Sequence, residues 1–350
     1  MAAGGSDKQA AESWPQLAHY DRLMIVKPSS LGDVVHALPA VALLKQRFPQ
    51  LRVSWLANTE WMPLLEGSQV VDEVVEFPRR SFRGLRGKRV FLNWVHQFAL
   101  QGRRAQGREL VIDFQGLLRS GIVSRLRGGR EVLGMTDARE GARTFHRWRV
   151  PVKPEAHAVD RYLAVVEALS GAVDRSALPW ELPEGRPPIG WPEGKRPLVL
   201  HPYSRGAGKA LDQAQVAGLL RRWKGHAVVL AGRAEETLRL PGDWPGVVDL
   251  TNQTTLPELI WLLRQAACVV SVDSGPMHIS AAVNPRTLGI HRWSDPRRVG
   301  PYAAACRVWK AGRIDSRSKL TDVECATDAP VDETALDQIA QWALTTAAWA

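Results

Sequence analysis

A chain of 350 residues with 45% hydrophobic content is long enough to bury two ordinary cores, and none of its apolar runs reaches the length of a membrane span. Its net charge of +10 is concentrated: Arg79 to Arg149 holds seventeen Lys and Arg against five Asp and Glu, all but one of the seventeen being arginine, so the remainder is slightly acidic. The cysteines, Cys268, Cys306 and Cys325, have no metal-ligand spacing and cannot all pair, which points to a reduced, cytoplasmic setting.

Residues 1–20 are small and polar and lack the apolar centre of a secretory signal. They read as a disordered lead. From there strands and helices alternate. Leu23–Lys27 is a strand, Asp33–Phe48 a helix, Val53–Ala57 a strand and Glu60–Leu65 a short helix. Val74–Phe77 is a strand. The long basic connection from Pro78 to Glu109 carries a helix over Val90–Arg104 and a mobile loop able to close over a substrate. Leu110–Phe114 is a strand and Leu117–Leu126 a helix. Ala156–Gly171 is an amphipathic helix with Val159, Leu163, Val166 and Leu169 on one face. Alternation of this kind predicts an α/β fold with a parallel sheet covered on both faces.

Six prolines and three glycines between Leu178 and Pro197 mark a linker. It separates a first domain, residues 21–180, from a second, residues 198–330, with the linker proper at 181–197. The second domain repeats the grammar. Leu198–His201, Ala227–Ala231, Val247–Leu250, Val269–Val272 and Thr287–Ile290 are strands. Ala214–Trp223, Leu256–Ala267 and Met277–Ala282 are helices. Residues 331–350 form a terminal helix, Ala335–Trp349. The architecture predicted is two Rossmann-like halves flanking a cleft.

Two turns carry the chemistry. The first, within Lys27-Pro-Ser-Ser-Leu-Gly-Asp-Val-Val-His36, joins a buried strand to a helix and puts Asp33 in the helix's first turn. There the helix dipole holds a carboxylate ionised, which suits a general base better than a general acid. Capping the helix is the other role open to it. The second turn lies in Cys268-Val-Val-Ser-Val-Asp-Ser-Gly-Pro-Met-His278, where Pro276 fits the start of a helix. The N–H groups of Gly275, Met277 and His278 converge there as an anion site. Asp273 also suits a cap, and His278 a core hydrogen bond. Lys209 ends a Gly-rich loop, Ser204-Arg-Gly-Ala-Gly-Lys209, whose spacing is not that of a phosphate-binding P-loop. It is either a phosphate cation or merely exposed. His36 is assigned a structural place, and Asp113 and Gln115 end a strand on the cleft side. Trp293 either stacks on a purine or packs against the last helix.

In order and spacing, Ser30-Leu-Gly-Asp-Val-Val-His-Ala-Leu-Pro39, Asp113-Phe-Gln-Gly116 with Ser120, Lys209 after His201-Pro202, Val272-Asp-Ser-Gly-Pro-Met-His278 and Asp295-Pro-Arg-Arg-Val-Gly-Pro-Tyr302 resemble glycosyltransferase family 9. These are the bacterial ADP-heptose:lipopolysaccharide heptosyltransferases. Lys27-Pro-Ser-Ser-Leu-Gly-Asp and Gly134-Met-Thr-Asp-Ala-Arg-Glu140 are most similar to the heptosyltransferase I branch, which adds the first heptose to Kdo. The resemblance implies a GT-B fold and an inverting transfer from an ADP-sugar, with no metal and no cofactor. It implies Asp33 as base and Arg139 on the acceptor side, where Ser30, Gly32 and Gln115 are further candidates. Donor binding falls to Ser204, Lys209, Asp273, Ser274, Gly275, Met277 and His278. Two departures stand near the donor: Leu211 where the family usually has Trp, and His291-Arg-Trp-Ser294 where it usually has Phe/Tyr-Gly-Pro-Thr.

The arginine-rich stretch fits a polyanion, because guanidinium binds carboxylates and phosphates in a bidentate fork. Arg79 and Arg80 join Arg139 as acceptor-reading candidates, and the expected partners are Kdo-lipid A and the anionic cytoplasmic face of the inner membrane, bound peripherally by a monomer. Three alternatives remain: a related transferase with another nucleotide-sugar donor, a sugar-nucleotide epimerase on the same plan, and a nucleic-acid-binding protein. The last lacks the interleaved aromatic residues of a stacking platform. A dehydrogenase would need a Gly-x-Gly-x-x-Gly after the first strand, which is absent.

Overall fold

The computed structural model describes residues 14–104, 108–206, 208–240 and 242–348, with Leu85 as backbone only. The first half runs β1 (Arg22–Val26), α1 (Leu31–Arg47), β2 (Arg52–Asn58), β3 (Glu73–Phe77), α2 (Gly84–Arg104), β4 (Glu109–Asp113), α3 (Leu118–Gly128), β5 (Val132–Met135), β6 (Trp148–Val150) and α4 (Ala158–Ser170). The second runs β7 (Leu198–His201), α5 (Gln213–Arg222), β8 (Val228–Leu230), β9 (Val247–Asp249), α6 (Leu256–Gln265), β10 (Cys268–Val272), α7 (Gly275–Val283), β11 (Thr287–Ile290), α8 (Pro296–Val299), β12 (Arg307–Lys310), β13 (Arg313–Asp315), α9 (Asp322–Ala326) and α10 (Glu333–Ala347).

The first sheet is parallel throughout, in the order β3-β2-β1-β4-β5-β6. The second has the order β13-β12-β11-β10-β7-β8-β9, and only β13 runs antiparallel, against β12. In each sheet the strand order reverses once, between β1 and β4 and between β7 and β10. Those reversals are where open α/β sheets bind ligands. The loops leaving these four strands carry the Lys27–Ser30, Asp113–Leu117, Pro202–Asp212 and Asp273–Ser274 segments. Both chemistry-bearing turns therefore stand at switch points.

Burial explains the strands. Leu23, Met24, Ile25 and Val26 of β1 have no exposed surface, as central parallel strands covered on both faces require. One face meets α1 and α4; the other meets Phe98 of α2 and Val123 of α3. The first cluster does not stop at the domain boundary. It joins Leu38, Val41 and Tyr162 to Val199, Ile260 and Ile279 of the second half, and α1 packs directly on α7.

The structure revises several expectations. Residues 14–20, placed in the disordered lead, include a 3₁₀ turn over Leu17–His19 with Leu17 buried, and Trp14 packs on the first core; the rest of that lead lies outside the described residues. The basic connection holds a 3₁₀ turn, Arg79–Phe82, and a helix that starts at Gly84 rather than Val90. Between Phe77 and Gly84 no long loop is left. Strands β5, β6, β12 and β13, at or next to the outer edges of their sheets, went unread. Helix α10 packs on α5 and β10 and buries Leu336, Ile339 and Ala343 in the second core, so it completes that domain; Trp349 of the predicted helix lies outside the described residues. The 181–197 stretch has no regular element but is strapped to α6: Arg264 donates to the carbonyls of Leu182 and Pro183. Gly185, at φ +77°, sits where a Cβ would meet the Pro257 carbonyl at 2.2 Å.

Candidate active site

At the end of β1 the chain turns through Lys27–Ser29 into α1, with Ser30 as N-cap. The Asp33 carboxylate accepts from the Ser30 N–H at 3.0 Å and from the Ser30 hydroxyl at 2.8 Å. So Asp33 does cap the helix, as one reading held. Its side chain nevertheless remains 39% exposed, so the cap does not seal it from solvent. Beneath it lies the buried Lys27 ammonium, 3.9 Å away and 5.7 Å from the centre of the Tyr162 ring. Desolvation pushes the Asp33 carboxyl up; Lys27, the Ser30 donors and His278 together outweigh it and hold the group below the ordinary carboxylate value. Lys27 was not singled out from the sequence. The available signal was a lysine ending a buried strand, where a cation survives only with a partner.

Helix α7 begins opposite α1. Ser274 is its N-cap, and Gly275 and Pro276 start its first turn. The two helix starts touch. A Cβ on Gly32 would fall 2.6 Å from the His278 ring, and one on Gly275 2.5 Å from Leu31. These glycines permit the close approach of two elements carrying Asp33 on one side and the Asp273–His278 turn on the other. His278 Nδ1 lies 3.0 Å from His36 Nε2, and the His36 ring is 4.9 Å from that of His157. His157 in turn donates from Nε2 to the Gly300 carbonyl at 3.0 Å. Burial is the first cause depressing all three imidazoles, His157 to about 3. His36, read as structural, is thus the residue on which His278 rests.

On the second domain Lys209 donates to Asp273 at 2.5 Å, with its ammonium 4.8 Å from the centre of the Trp293 ring. Ser204 donates to the Asp273 carbonyl at 3.1 Å, and the Ser274 hydroxyl lies 3.3 Å from His201 Nδ1. Desolvation raises the Asp273 carboxyl, but His291, Lys209 and Ser294 prevail and keep it below its ordinary value. Burial drops His201 and His291 to about 4. Met277 is different. Its side chain is fully buried, with the sulfur against Gly289, so only its main chain can face a ligand.

The departed residues divide. Leu211 is buried in the second core, its N–H bonded to the Pro202 carbonyl at 2.9 Å. Trp293 is 49% exposed and lies over Lys209 rather than in the core. Its loop is pinned from below: buried Lys310 donates to the Arg292 carbonyl at 2.5 Å, and Ser294 meets His291 Nδ1 at 3.0 Å.

Asp113 is wholly buried and acts as a structural hub. It accepts from the Gln115 and Gly116 N–H groups, each at 3.0 Å, from Ser120 at 2.9 Å and faces His146 Nε2 at 3.0 Å. The turn it shapes places Gln115 in a cleft with Ser29, Asn58, Phe77, Arg79 and Arg119. Arg79 therefore shares this cleft with Gln115. Arg80 and Arg139 are exposed; the Arg139 N–H bonds the Gly116 carbonyl at 2.8 Å, and neither side chain lines this cleft. Arg119, unread in the sequence, does. Among the described residues no three His, Cys, Asp or Glu are grouped to hold a metal ion.

Comparison with known proteins follows the same lines. The model of glycosyltransferase family 9 (heptosyltransferase) matches residues 100–325. Lipopolysaccharide heptosyltransferase 1 of Pseudomonas aeruginosa is 27% identical over 303 residues, covering 80% of this chain and 81% of the relative. Lipopolysaccharide heptosyltransferase 1 of Escherichia coli is 25% identical over 305 residues, covering 83% and 94%. In three dimensions the chain superposes on the E. coli heptosyltransferase WaaC with ADP at a TM-score of 0.72, with 23% identity, over 92% of this chain and 99% of the other. A glycosyl transferase family 9 structure from Veillonella parvula gives a TM-score of 0.75 at 16% identity, covering 95% and 98%. The fold is the GT-B arrangement of these heptosyltransferases.

Proposed function

Because this chain belongs to glycosyltransferase family 9, the heptosyltransferases, we propose that it moves a heptose from ADP-heptose to the Kdo/inner-core region of lipopolysaccharide, with inversion and without a metal. The observation that carries this is the meeting of two switch-point turns: Asp33 opens from one domain toward a cluster of Lys209, Asp273 and His278 on the other. The relatives named above support the donor and acceptor classes. One is described with ADP, and a second WaaC structure carries ADP-2-deoxy-2-fluoro heptose.

In this reading Asp33 takes the proton from the acceptor hydroxyl as that oxygen bonds the anomeric carbon on the face opposite the diphosphate. The bond to the diphosphate breaks, and ADP leaves with the electron pair. Lys27 and Ser30 keep Asp33 ionised and ready to accept. Such a base contributes roughly 10²–10⁴ in rate. The leaving charge is met by Lys209, the N–H groups at the start of α7 and His278, which replace water as fixed donors. Trp293 offers a ring face to the adenine. Arg79 reads the acidic acceptor with Arg119 beside it in the cleft, while Arg80 and Arg139, outside its lining, add to the basic face. The enzyme works as a monomer at the cytoplasmic face of the inner membrane, drawn there by its basic face.

The test is transfer by the purified protein from ADP-heptose to a Kdo-bearing acceptor. Wild type is expected to turn over with or without a chelator. Asp33→Asn is expected to bind ADP as wild type does and to lose roughly 10²–10⁴ in kcat. Near-normal turnover by the variant removes Asp33 from its role, and a strict requirement for divalent metal removes the metal-free mechanism.

A further inference from the structure

Single exposed apolar side chains are ordinary on a protein surface; their concentration is not. Of the ten large apolar side chains exposed among the described residues, six lie on two neighbouring helices: Val90, Phe91 and Leu92 on α2, and Leu118, Ile122 and Leu126 on α3. The three on α3 recur every four residues and so form one stripe. Leu92 is 66% exposed. The helices are held together at their C-terminal ends. The Gly102 backbone abuts the Arg127 carbonyl, and the Arg127 guanidinium lies 5.0 Å from the centre of the Phe98 ring and donates to Gln101 at 2.8 Å. Both helices cover the same face of the first sheet, where Phe98 and Val123 share a cluster with Met24, Val26 and Val111.

The charge around this apolar surface is mostly positive, the exception being Glu140, whose carboxylate accepts from the Leu118 N–H at 3.4 Å. Arg79 to Arg104 contains eight Lys and Arg and no Asp or Glu. Arg86 and Arg89 on α2 and Arg119 and Arg125 on α3 are exposed. A second copy docked here would set these cations against their equivalents. An anionic bilayer matches both features, acyl chains for the apolar residues and headgroups for the guanidinium groups. The face also adjoins the site: Leu117, Arg119 and Ser120, at the start of α3, line the cleft with Arg79 and Gln115.

We propose that the exposed face of α2 and α3 is a bilayer-docking surface, whose apolar residues enter the acyl boundary while its arginines hold anionic headgroups and bring the cleft to headgroup level. The inference rests on the reading of the acceptor as a membrane lipid and adds to it a defined insertion surface. No helix among the described residues is long and apolar enough to span a bilayer, so this is docking in the plane.

The test is co-sedimentation of the full chain with phosphatidylglycerol-containing vesicles and with phosphatidylcholine vesicles. Wild type is expected to bind the anionic vesicles, less strongly as salt rises. The Leu92→Asp/Ile122→Asp variant is expected to bind them at least about tenfold more weakly even at low salt, while still transferring heptose to a deacylated, water-soluble acceptor. Arg86→Glu/Arg89→Glu is expected to weaken binding and flatten its salt dependence. As a measurement independent of folding yield, a polarity-sensitive dye on Leu92→Cys is expected to shift blue on anionic vesicles. Unchanged binding by the apolar variant, an unshifted dye, or concentration-dependent self-association through this face in place of vesicle binding overturns the proposal. Failure of transfer to the soluble acceptor by wild type, with vesicle binding intact, instead counts against the proposed reaction.

Discussion

Lysine and aspartate sit together at the end of β1 for a physical reason. A buried ammonium is costly unless an anion and hydrogen-bond acceptors surround it, and Lys27 has Asp33 at 3.9 Å. Desolvation alone would lower the Lys27 ammonium, but Tyr162, Asp33 and Asp113 raise it above its ordinary value, so it stays charged. The same attraction holds the Asp33 carboxyl down. A base is active above its own pKa, so the acid limb of kcat/KM belongs below the ordinary carboxylate range in the wild type, as far as Asp33 governs it. Lys27→Met removes the cation while keeping most of the volume. The expected outcome is an acid limb moved to higher pH with a retained fold, read from a pH–rate profile with ADP-heptose. An unmoved limb would mean that Lys27 does not set the state of Asp33. The sequence showed Asp33 and the strand-turn-helix around it. It did not show that the carboxylate caps its helix through Ser30 and stays partly exposed at once.

Helices α1 and α7 meet at their first turns, and that contact is made by two missing side chains. Gly32 leaves room for the His278 ring, and Gly275 for Leu31. Filling the first gap forces one helix start away from the other, because the His278 ring is buried and tied to His36. Gly32→Ala is therefore expected to destabilise the fold by about 1–3 kcal/mol. It should also cut kcat more than it weakens ADP binding, since Asp33 moves against the donor while the donor's own domain is unchanged. Thermal melts, ADP titration and turnover on one preparation check this; equal loss in kcat and ADP affinity would place the damage within the second domain. Gly32 and Gly275 were visible only as parts of motifs. Their partners lie more than 240 residues away in sequence, on the opposite domain. Short strands such as β12 and β13 were missed for a related reason: β12 is ordered by pairing with β11 and by burial of Trp309, and β13 by pairing with β12, none of which three- or four-residue runs announce.

Among the described residues six histidines are buried, and in five of them, His36, His157, His201, His278 and His291, burial is the leading cause of a depressed value. In the unfolded chain they would protonate near 6.5. The folded state then binds fewer protons below that pH, so stability is full above about 6.5 and falls as pH drops. For His201 and His291 the window runs down to about 4, and for His157 to about 3. Each contributes up to about 1.4 kcal/mol per pH unit within its window. The melting temperature is expected to drop steeply between pH 6.5 and 4.5, and replacing His201 with Gln should make that drop shallower. A melting temperature independent of pH across this range would show that the buried imidazoles are not neutral in the folded protein.

The sequence by itself determined what local chemistry governs. Apolar runs of four or five residues, each followed by a turn and an amphipathic segment, required parallel strands and covering helices, and the proline-rich stretch divided them into two halves. The order of Asp33, Lys209 and the Asp273–His278 turn marked the strand ends of the candidate site, because helix starts and glycine turns act on their immediate neighbours. Tertiary structure alone decided what depends on contacts between distant residues. It placed both turns at switch points, seated His278 on His36, assigned Asp113 to shaping a loop, and kept Arg79 and the unread Arg119 at the cleft while leaving Arg80 and Arg139 outside its lining. It also left six apolar side chains exposed on the packed pair α2 and α3. Periodicity can say that a helix has two faces; only the packed sheet beneath it decides which face is left to the surroundings.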